Sequence, residues 1–251
     1  MTRKTDTMRK SDTPAMFSLI ARKYDLLNHL FSLHIDRLWR KQLFSLSEIP
    51  DGGAVLDACT GTGDVALVFG RSRRVSTVVG VDLSTGMLDV AAAKARKKSL
   101  DGKVRFMQAD VLNLPFEDGT FDAVTISFGV RNLQDYDKGM AEMTRVLKPG
   151  GRVLILEFAP PTRDLYLKGY NFYLKKIIPA VGGFISGNDA AYKYLATSVD
   201  GFLPRERMLE LLGRAGLESL CVKKLAGGVA YIYRGEKSSR AGAGPVADCP
   251  E

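Results

Sequence analysis

The chain has 251 residues, 45% of them apolar and 25% charged, and its 36 Lys+Arg against 28 Asp+Glu leave a formal charge of +8. That composition suits one well-cored globular domain with appendages and excludes a disulfide miniprotein or a disordered chain. No apolar run approaches the roughly 18 residues of a membrane span, because the stretch from Ile177 to Ser186 is short and broken by Pro and Gly.

Taken in chain order, residues 1–13 are polar and read as a disordered tail. The apolar island Ala15–Ala21 is too short for a secretory signal, and Asp6 and Asp12 argue against a transit peptide, so the expected location is cytoplasmic. Phe17, Ile20, Tyr24, Leu27 and Phe31 recur at steps of three and four, which predicts an amphipathic helix within a helical cap over 14–50. Strands follow at Ala54–Ala58, Thr77–Leu83, Val104–Gln108, Ala123–Ser127 and Arg152–Phe158, then at Leu220–Lys224 and Val229–Tyr233. Helical stretches separate the first five, as in Asp137–Lys148, where Met140, Met143, Val146 and Leu147 share a face, Asp135 or Asp137 is the cap and Pro149-Gly150-Gly151 is the stop. Such alternation means an α/β fold, a doubly wound, mostly parallel seven-stranded sheet in one domain over 14–237. A helical insertion at 163–198 carries a second amphipathic element, Tyr166–Ile178, and residues 238–251 read as another disordered tail.

Residues 51–160 balance acids against bases, so the excess charge sits thinly on the two flanks. That distribution gives no concentrated nucleic-acid footprint, though basic flanks could rest on anionic lipid. Cys59, Cys221 and Cys249 lack CxxC spacing and have only His29 and His34 for company, which predicts neither a metal site nor a disulfide framework. Cys59 has no neighbouring histidine and reads as a packed loop residue rather than a nucleophile.

The first strand runs into Thr60-Gly61-Thr62-Gly63-Asp64 and then a helix, a turn in which glycines let backbone amides approach a nucleoside cofactor. Asp82 ends the next strand, where a carboxylate can accept both hydroxyls of a ribose. The third glycine of GxGxxG is missing and Ala66 could replace it, so the loop alone does not separate a dinucleotide from S-adenosylmethionine. Asp110-Val111 after the third strand, positioned for an adenine amino group, and Lys148-Pro149-Gly150-Gly151-Arg152 complete the pattern of class I methyltransferases. Acidic Asp57 and Asp64 beside the loop would repel a pyrophosphate but tolerate a methionine tail. Either could instead be structural, as a strand end and a helix cap.

With Tyr24-Asp25-Leu26-Leu27-Asn28, Asp36-Arg37-Leu38-Trp39-Arg40, Asp57 to Asp64, and Phe128-Gly129-Val130-Arg131-Asn132, the chain resembles the menaquinone/ubiquinone biosynthesis C-methyltransferases over about residues 14–236. Asp189…Tyr192-Lys193-Tyr194-Leu195…Ser198 and Gly227-Gly228-Val229-Ala230 extend the likeness. The resemblance implies S-adenosylmethionine as cofactor and a polyprenyl quinol as acceptor. It carries over Thr62, Asp82, Asp110, Val111 and Ser127 as cofactor contacts, with Asp57, Thr60, Gly61 and Gly63 in the same loop. Arg131 is expected to stabilise a phenolate, Asn132 to orient the ring oxygen, and Tyr24, His29, His34 or a held water to act as base. The prenyl tail is expected between the cap and the insertion, with peripheral membrane contact, and the oligomeric state stays open between monomer and homodimer. Phe202-Leu203-Pro204 departs from the family pattern, where proline follows the phenylalanine directly. Another small-molecule acceptor, a non-catalytic scaffold and a dinucleotide reductase are the competing readings.

Overall fold

A computed structural model describes residues 13–31, 35–158, 198–199, 201–238 and 247–249. The insertion at 163–198, with its Tyr166–Ile178 helix, lies almost wholly outside these residues, as do residues 1–12 and the side chains of His29 and His34.

Two helices, α1 (Thr13–Phe31) and α2 (Ile35–Ser47), precede the sheet. There follow β1 (Gly53–Ala58), α3 (Asp64–Gly70), β2 (Val75–Asp82), α4 (Thr85–Lys97), β3 (Val104–Gln108), β4 (Phe121–Ser127), α5 (Tyr136–Arg145) and β5 (Leu147–Phe158). The chain closes with α6 (Arg205–Arg214), β6 (Leu217–Leu225), β7 (Ala230–Lys237) and β8 (Ala247–Asp248). The sheet order is β3-β2-β1-β4-β5-β7-β6-β8. Strands β1 to β5 pair in parallel, whereas β7 runs antiparallel between β5 and β6.

The central strands β1 and β4 and the second half of β5 are buried on both faces, as a parallel sheet between helical layers requires. Alternate residues therefore feed two cores. Leu56, Val153 and Ile155 meet Met140 and Met143 of α5 and Met208, Leu211 and Leu212 of α6 on one side. Val55, Leu154 and Leu156 meet Trp39, Leu43 and Leu46 of α2 and Val65 and Phe69 of α3 on the other. Asp135 caps α5, accepting from the Lys138 N–H at 2.9 Å. Leu147 belongs to β5 rather than to the helix, because it already pairs with Phe121 before a register shift at the Pro-Gly-Gly turn. At the family departure, Phe202 is buried against Tyr136 with ring centroids 6.4 Å apart, and Pro204 becomes the N-cap of α6.

Two expectations need correction at the C-terminus. Cys221 and Cys249 form a disulfide, and Ala247–Asp248 add an eighth strand to the edge of β6. The 238–251 segment is thus anchored at 247–249 rather than loose throughout. A pairing between an interior strand residue and a cysteine 28 positions later has no spacing signature, so only the fold brings the two sulfurs together.

Candidate active site

In an open parallel sheet the crevice forms where strand order reverses, here between the carboxyl ends of β1 and β4. A cleft of about 910 Å³, counted to its open mouth, occupies this point. Its walls bring together Tyr24, Gly61, Asp82, Asp110, Val111, Ser127 and Asn132 of the predicted residues. Asp57, Thr60, Thr62, Gly63 and Arg131 do not line it.

Four of those absent residues build the glycine loop from behind. Asp57 ends β1 fully buried, and its Oδ2 accepts from the Thr60 hydroxyl at 2.6 Å and the Ala66 N–H at 3.1 Å. Its Oδ1 accepts from the Thr125 hydroxyl at 2.7 Å, which ties β1 to β4 beneath the cleft. Burial pushes the Asp57 carboxyl up to about 6, against the lowering effect of those three donors and Arg40. Asp57 is therefore the structural strand-end residue, and its carboxylate has no face toward a ligand. Gly63 sits at φ 81 as the N-cap of α3, so Asp64 is not the cap. The Asp64 carboxylate instead pairs with Lys94 and, at 3.2 Å, with Arg40.

Lys94 on α4 joins this loop to the helical cap. Its Nζ also donates to Asp25 of α1 at 2.6 Å, and the Thr62 hydroxyl donates to the same Asp25 carboxylate. The Ser18 and Ser84 hydroxyls share a hydrogen bond at 2.7 Å. Helix α1 is thereby held over the cleft, where Phe17 and Tyr24 meet edge to face with centroids 5.7 Å apart.

At the opposite side of the loop, Asp82 Oδ2 accepts from the Gly61 N–H and Oδ1 from the Ser84 N–H, both at 2.9 Å. A carboxylate offers about four acceptor positions, so this one keeps capacity for a ligand hydroxyl. Burial raises the Asp82 pKa, opposed by the N–H groups of Ser84, Gly61 and Leu83. Asp110 closes a tight turn by accepting from the Leu112 N–H at 2.9 Å, leaving Val111 buried against the cleft. Leu83 and Met87 supply further apolar wall that sequence reasoning did not single out. Leu83 directly follows the strand-end acid and Met87 lies one helical turn further on, and that position beside Asp82 is the signal the sequence carries.

Ser127 lines the cleft with a buried hydroxyl that finds no partner among the described residues. Such an orphan is costly unless a ligand satisfies it. With the Asp82 lone pairs, the open space at Gly61 and the apolar Val111 wall, it fits an adenosyl group ending in a polar amino-acid tail. Cys59 lines the same cleft, but its thiol is pushed well up by burial and by Asp82 and Asp57, so it stays protonated and is not a thiolate nucleophile.

Arg131 departs from expectation. It is 4% exposed, and its guanidinium pairs with Glu157 at the end of β5. It lies 6.0 Å and 5.7 Å from the ring centroids of Phe128 and Phe158. A charge neutralised by a buried carboxylate is poorly placed to stabilise a phenolate directly. Sequence reasoning missed Glu157 because the two residues are 26 positions apart and meet only through β4–β5 pairing.

Residues 4–237 match the model of the ubiE/COQ5 methyltransferase family. A demethylmenaquinone methyltransferase of Thermus thermophilus is 44% identical over 88% of this chain and all of its own length. A ubiquinone/menaquinone biosynthesis C-methyltransferase UbiE of Geobacter sulfurreducens is 43% identical over 88% of this chain and 87% of its own. Among solved structures, the [4+2]-cyclase SpnF superposes with a TM-score of 0.68 at 18% identity, covering 92% of this chain and 98% of that one. Geranyl diphosphate C-methyltransferase from Streptomyces coelicolor, solved with S-adenosyl-L-homocysteine, gives 0.61 at 15% identity, covering 81% and 80%. At such identities these two speak for the fold alone. The chain belongs to the ubiE/COQ5 methyltransferase family: it has the class I methyltransferase fold and is an S-adenosylmethionine-dependent C-methyltransferase.

Proposed function

We propose that this protein methylates a ring carbon of a polyprenylated demethylmenaquinol. The observation that carries the acceptor class is the juxtaposition, in one cleft, of the polar adenosyl seat with the aromatic and apolar walls of Phe17, Tyr24, Phe128 and Leu133. The likeness to the Thermus enzyme, whose name gives demethylmenaquinone alone, supports the naphthoquinol.

S-adenosylmethionine, when bound, supplies a methyl group already activated as a sulfonium. Asp82 is assigned to the ribose, Asp110 and Val111 to the adenine, and Ser127 with the Gly61 loop to the methionine end. The chain's remaining work is to align a ring carbon and exclude water, and positioning of this kind lowers a barrier by roughly 7–11 kcal/mol. The ring carbon gains nucleophilicity when a neighbouring hydroxyl loses its proton, which a phenolic pKa of about 10 opposes at neutral pH. Asn132 is assigned to the ring oxygen, and Tyr24, on a separate wall, to relay its proton to water, its own hydroxyl proton leaving as the new one arrives. Arg131 keeps a supporting place beneath them.

The prenyl tail leaves along the cap. Leu19 is 79% exposed on α1, and Ile35 and Leu38 are exposed on α2 beside Arg37 and Lys41. Apolar side chains edged by cations suit the interface of an anionic bilayer at the cytoplasmic face. Among the described residues no helix is long and apolar enough to cross a membrane, so the contact proposed is peripheral.

Purified protein given S-adenosylmethionine and either demethylmenaquinol or the corresponding benzoquinol tests the acceptor by mass spectrometry. Methylation of the naphthoquinol is expected; turnover confined to the benzoquinol, or to neither, would refute it. Sedimentation with anionic vesicles at low salt tests the surface, and Leu38→Glu is expected to weaken it severalfold.

A further inference from the structure

We propose that Glu157 is a positioning residue for the methyl transfer. By clamping Arg131 it fixes the turn from Phe128 to Asn132 that forms the acceptor's wall. The inference rests on the acceptor reading above and deepens it.

Glu157 is 1% exposed, and its carboxylate serves three donors: the Arg131 guanidinium, the Phe158 N–H at 3.0 Å and the Arg131 N–H at 3.5 Å. It therefore grips both the side chain and the backbone of the turn after β4. Above the pair lies an aromatic stack. Phe128 and Phe158 are tilted 32° with centroids 4.5 Å apart, and Trp39 of α2 meets Phe158 edge-on at 6.4 Å. The guanidinium reaches both phenylalanine rings, a cation–π arrangement that fixes their tilt.

Phe128 is also held in the left-handed region at φ 57, a conformation that a bulky side chain adopts only when its surroundings impose it. The Phe128 N–H donates to the Leu156 carbonyl at 2.7 Å, so the end of β5 holds this residue from one side while Glu157 holds the turn from the other. The held residues are the ones that face the cleft: Ser127, Phe128, Gly129 and Asn132.

Stability does not explain the pair. A buried ion pair is often replaced by apolar residues of similar volume without loss. A carboxylate and a guanidinium placed under a strained aromatic residue instead give the turn one conformation, which a methionine pair would leave free to shift.

The test measures Glu157→Gln, Arg131→Met and their combination, alongside the Arg131→Met/Glu157→Met protein, which carries no lone buried charge. Glu157→Gln is expected to lower kcat for demethylmenaquinol at least tenfold, with the Kd for S-adenosylhomocysteine changed less than twofold. In the Arg131→Met background the same change is expected to cost less than twofold more, because Glu157 acts through Arg131. Trp39 is the only tryptophan, and its emission with S-adenosylhomocysteine bound is expected to shift in Glu157→Gln, a readout independent of turnover. A folded Glu157→Gln enzyme with kcat within twofold of wild type, a cofactor Kd that rises in step with the loss of kcat, or effects that multiply in the double variant would overturn the proposal. If Glu157→Gln does not fold, the double-methionine protein decides: a tenfold loss of kcat supports the proposal and near-normal turnover overturns it. Failure of the acceptor reading shows in the wild type itself, and Trp39 emission then still judges the turn.

Discussion

Two glycines two residues apart should respond to alanine in opposite ways. Gly63 lies at φ 81, and a Cβ there would stand 2.8 Å from Phe106 Cζ and 2.9 Å from Ala91 Cβ, both well inside contact distance. Left-handed backbone costs an alanine about 1–2 kcal/mol, and forcing apart a packed strand and helix adds about 1–3 kcal/mol. Gly63→Ala should therefore lose about 2–5 kcal/mol, which for a domain of this size lowers Tm by roughly 4–20 °C. Gly61, at φ 55, has no atom within 4 Å of its notional Cβ, and it lines the cleft. Gly61→Ala bears only the backbone cost, a fall of roughly 2–8 °C. Its methyl group, however, enters the space assigned to the cofactor and should weaken S-adenosylhomocysteine at least tenfold, about 1.4 kcal/mol. Thermal melts and calorimetric titration of both proteins below their Tm make the comparison. A Gly61→Ala protein that binds S-adenosylhomocysteine as tightly as wild type would refute the placement of the cofactor, and an undiminished Tm for Gly63→Ala would refute the packing argument.

Asp57 gives a pH signature. Its folded pKa is raised from 3.8 to about 6, so the folded protein holds this proton more tightly than the unfolded chain does. Its contribution to stability is then fullest below pH 3.8 and is lost as pH rises through about 6. Asp57→Asn cannot titrate, so its disadvantage relative to wild type should shrink by roughly 2–3 kcal/mol between pH 4 and pH 7. Melts across that range check this, and a constant difference would refute the assignment. For the Cys221–Cys249 link, a closed segment of this length is worth roughly 3–4 kcal/mol in the chain-entropy account. Cys249→Ser should accordingly lower Tm by several degrees without altering cofactor affinity, and a reactive thiol at Cys221 in the wild type under non-reducing conditions would contradict the bond.

What the sequence makes legible follows from how local each signal is. The strands announce themselves because both faces are buried, which requires unbroken Val, Ile and Leu runs such as Val153–Leu156. Strand ends are harder to read. Strand β7 continues through Arg234-Gly235-Glu236-Lys237, where pairing with β5 and β6 replaces side-chain hydrophobicity as the reason for extension. Asp82 and Asp110 are readable as cleft residues because both stand at or just after a strand end, and strand ends are visible. Asp57, Thr60 and Thr62 occupy the same motif, yet the chain gives them to one another and to α1. A motif records which residues a loop requires without separating those that touch the ligand from those that shape the loop.

That separation has a physical basis at this sheet edge. A buried carboxylate is tolerable only when donors satisfy it, and those of Asp57 are the Thr60 hydroxyl of the loop, the Thr125 hydroxyl of β4 and the Ala66 N–H in the first turn of α3. Asp82, one strand outward, meets backbone donors alone, the N–H groups of Gly61, Ser84 and Leu83, and its carboxylate lines the cleft. Arg131, whose guanidinium meets a buried carboxylate and two aromatic faces, is held within the fold, while the Ser127 hydroxyl stands at the cleft wall with no partner among the described residues.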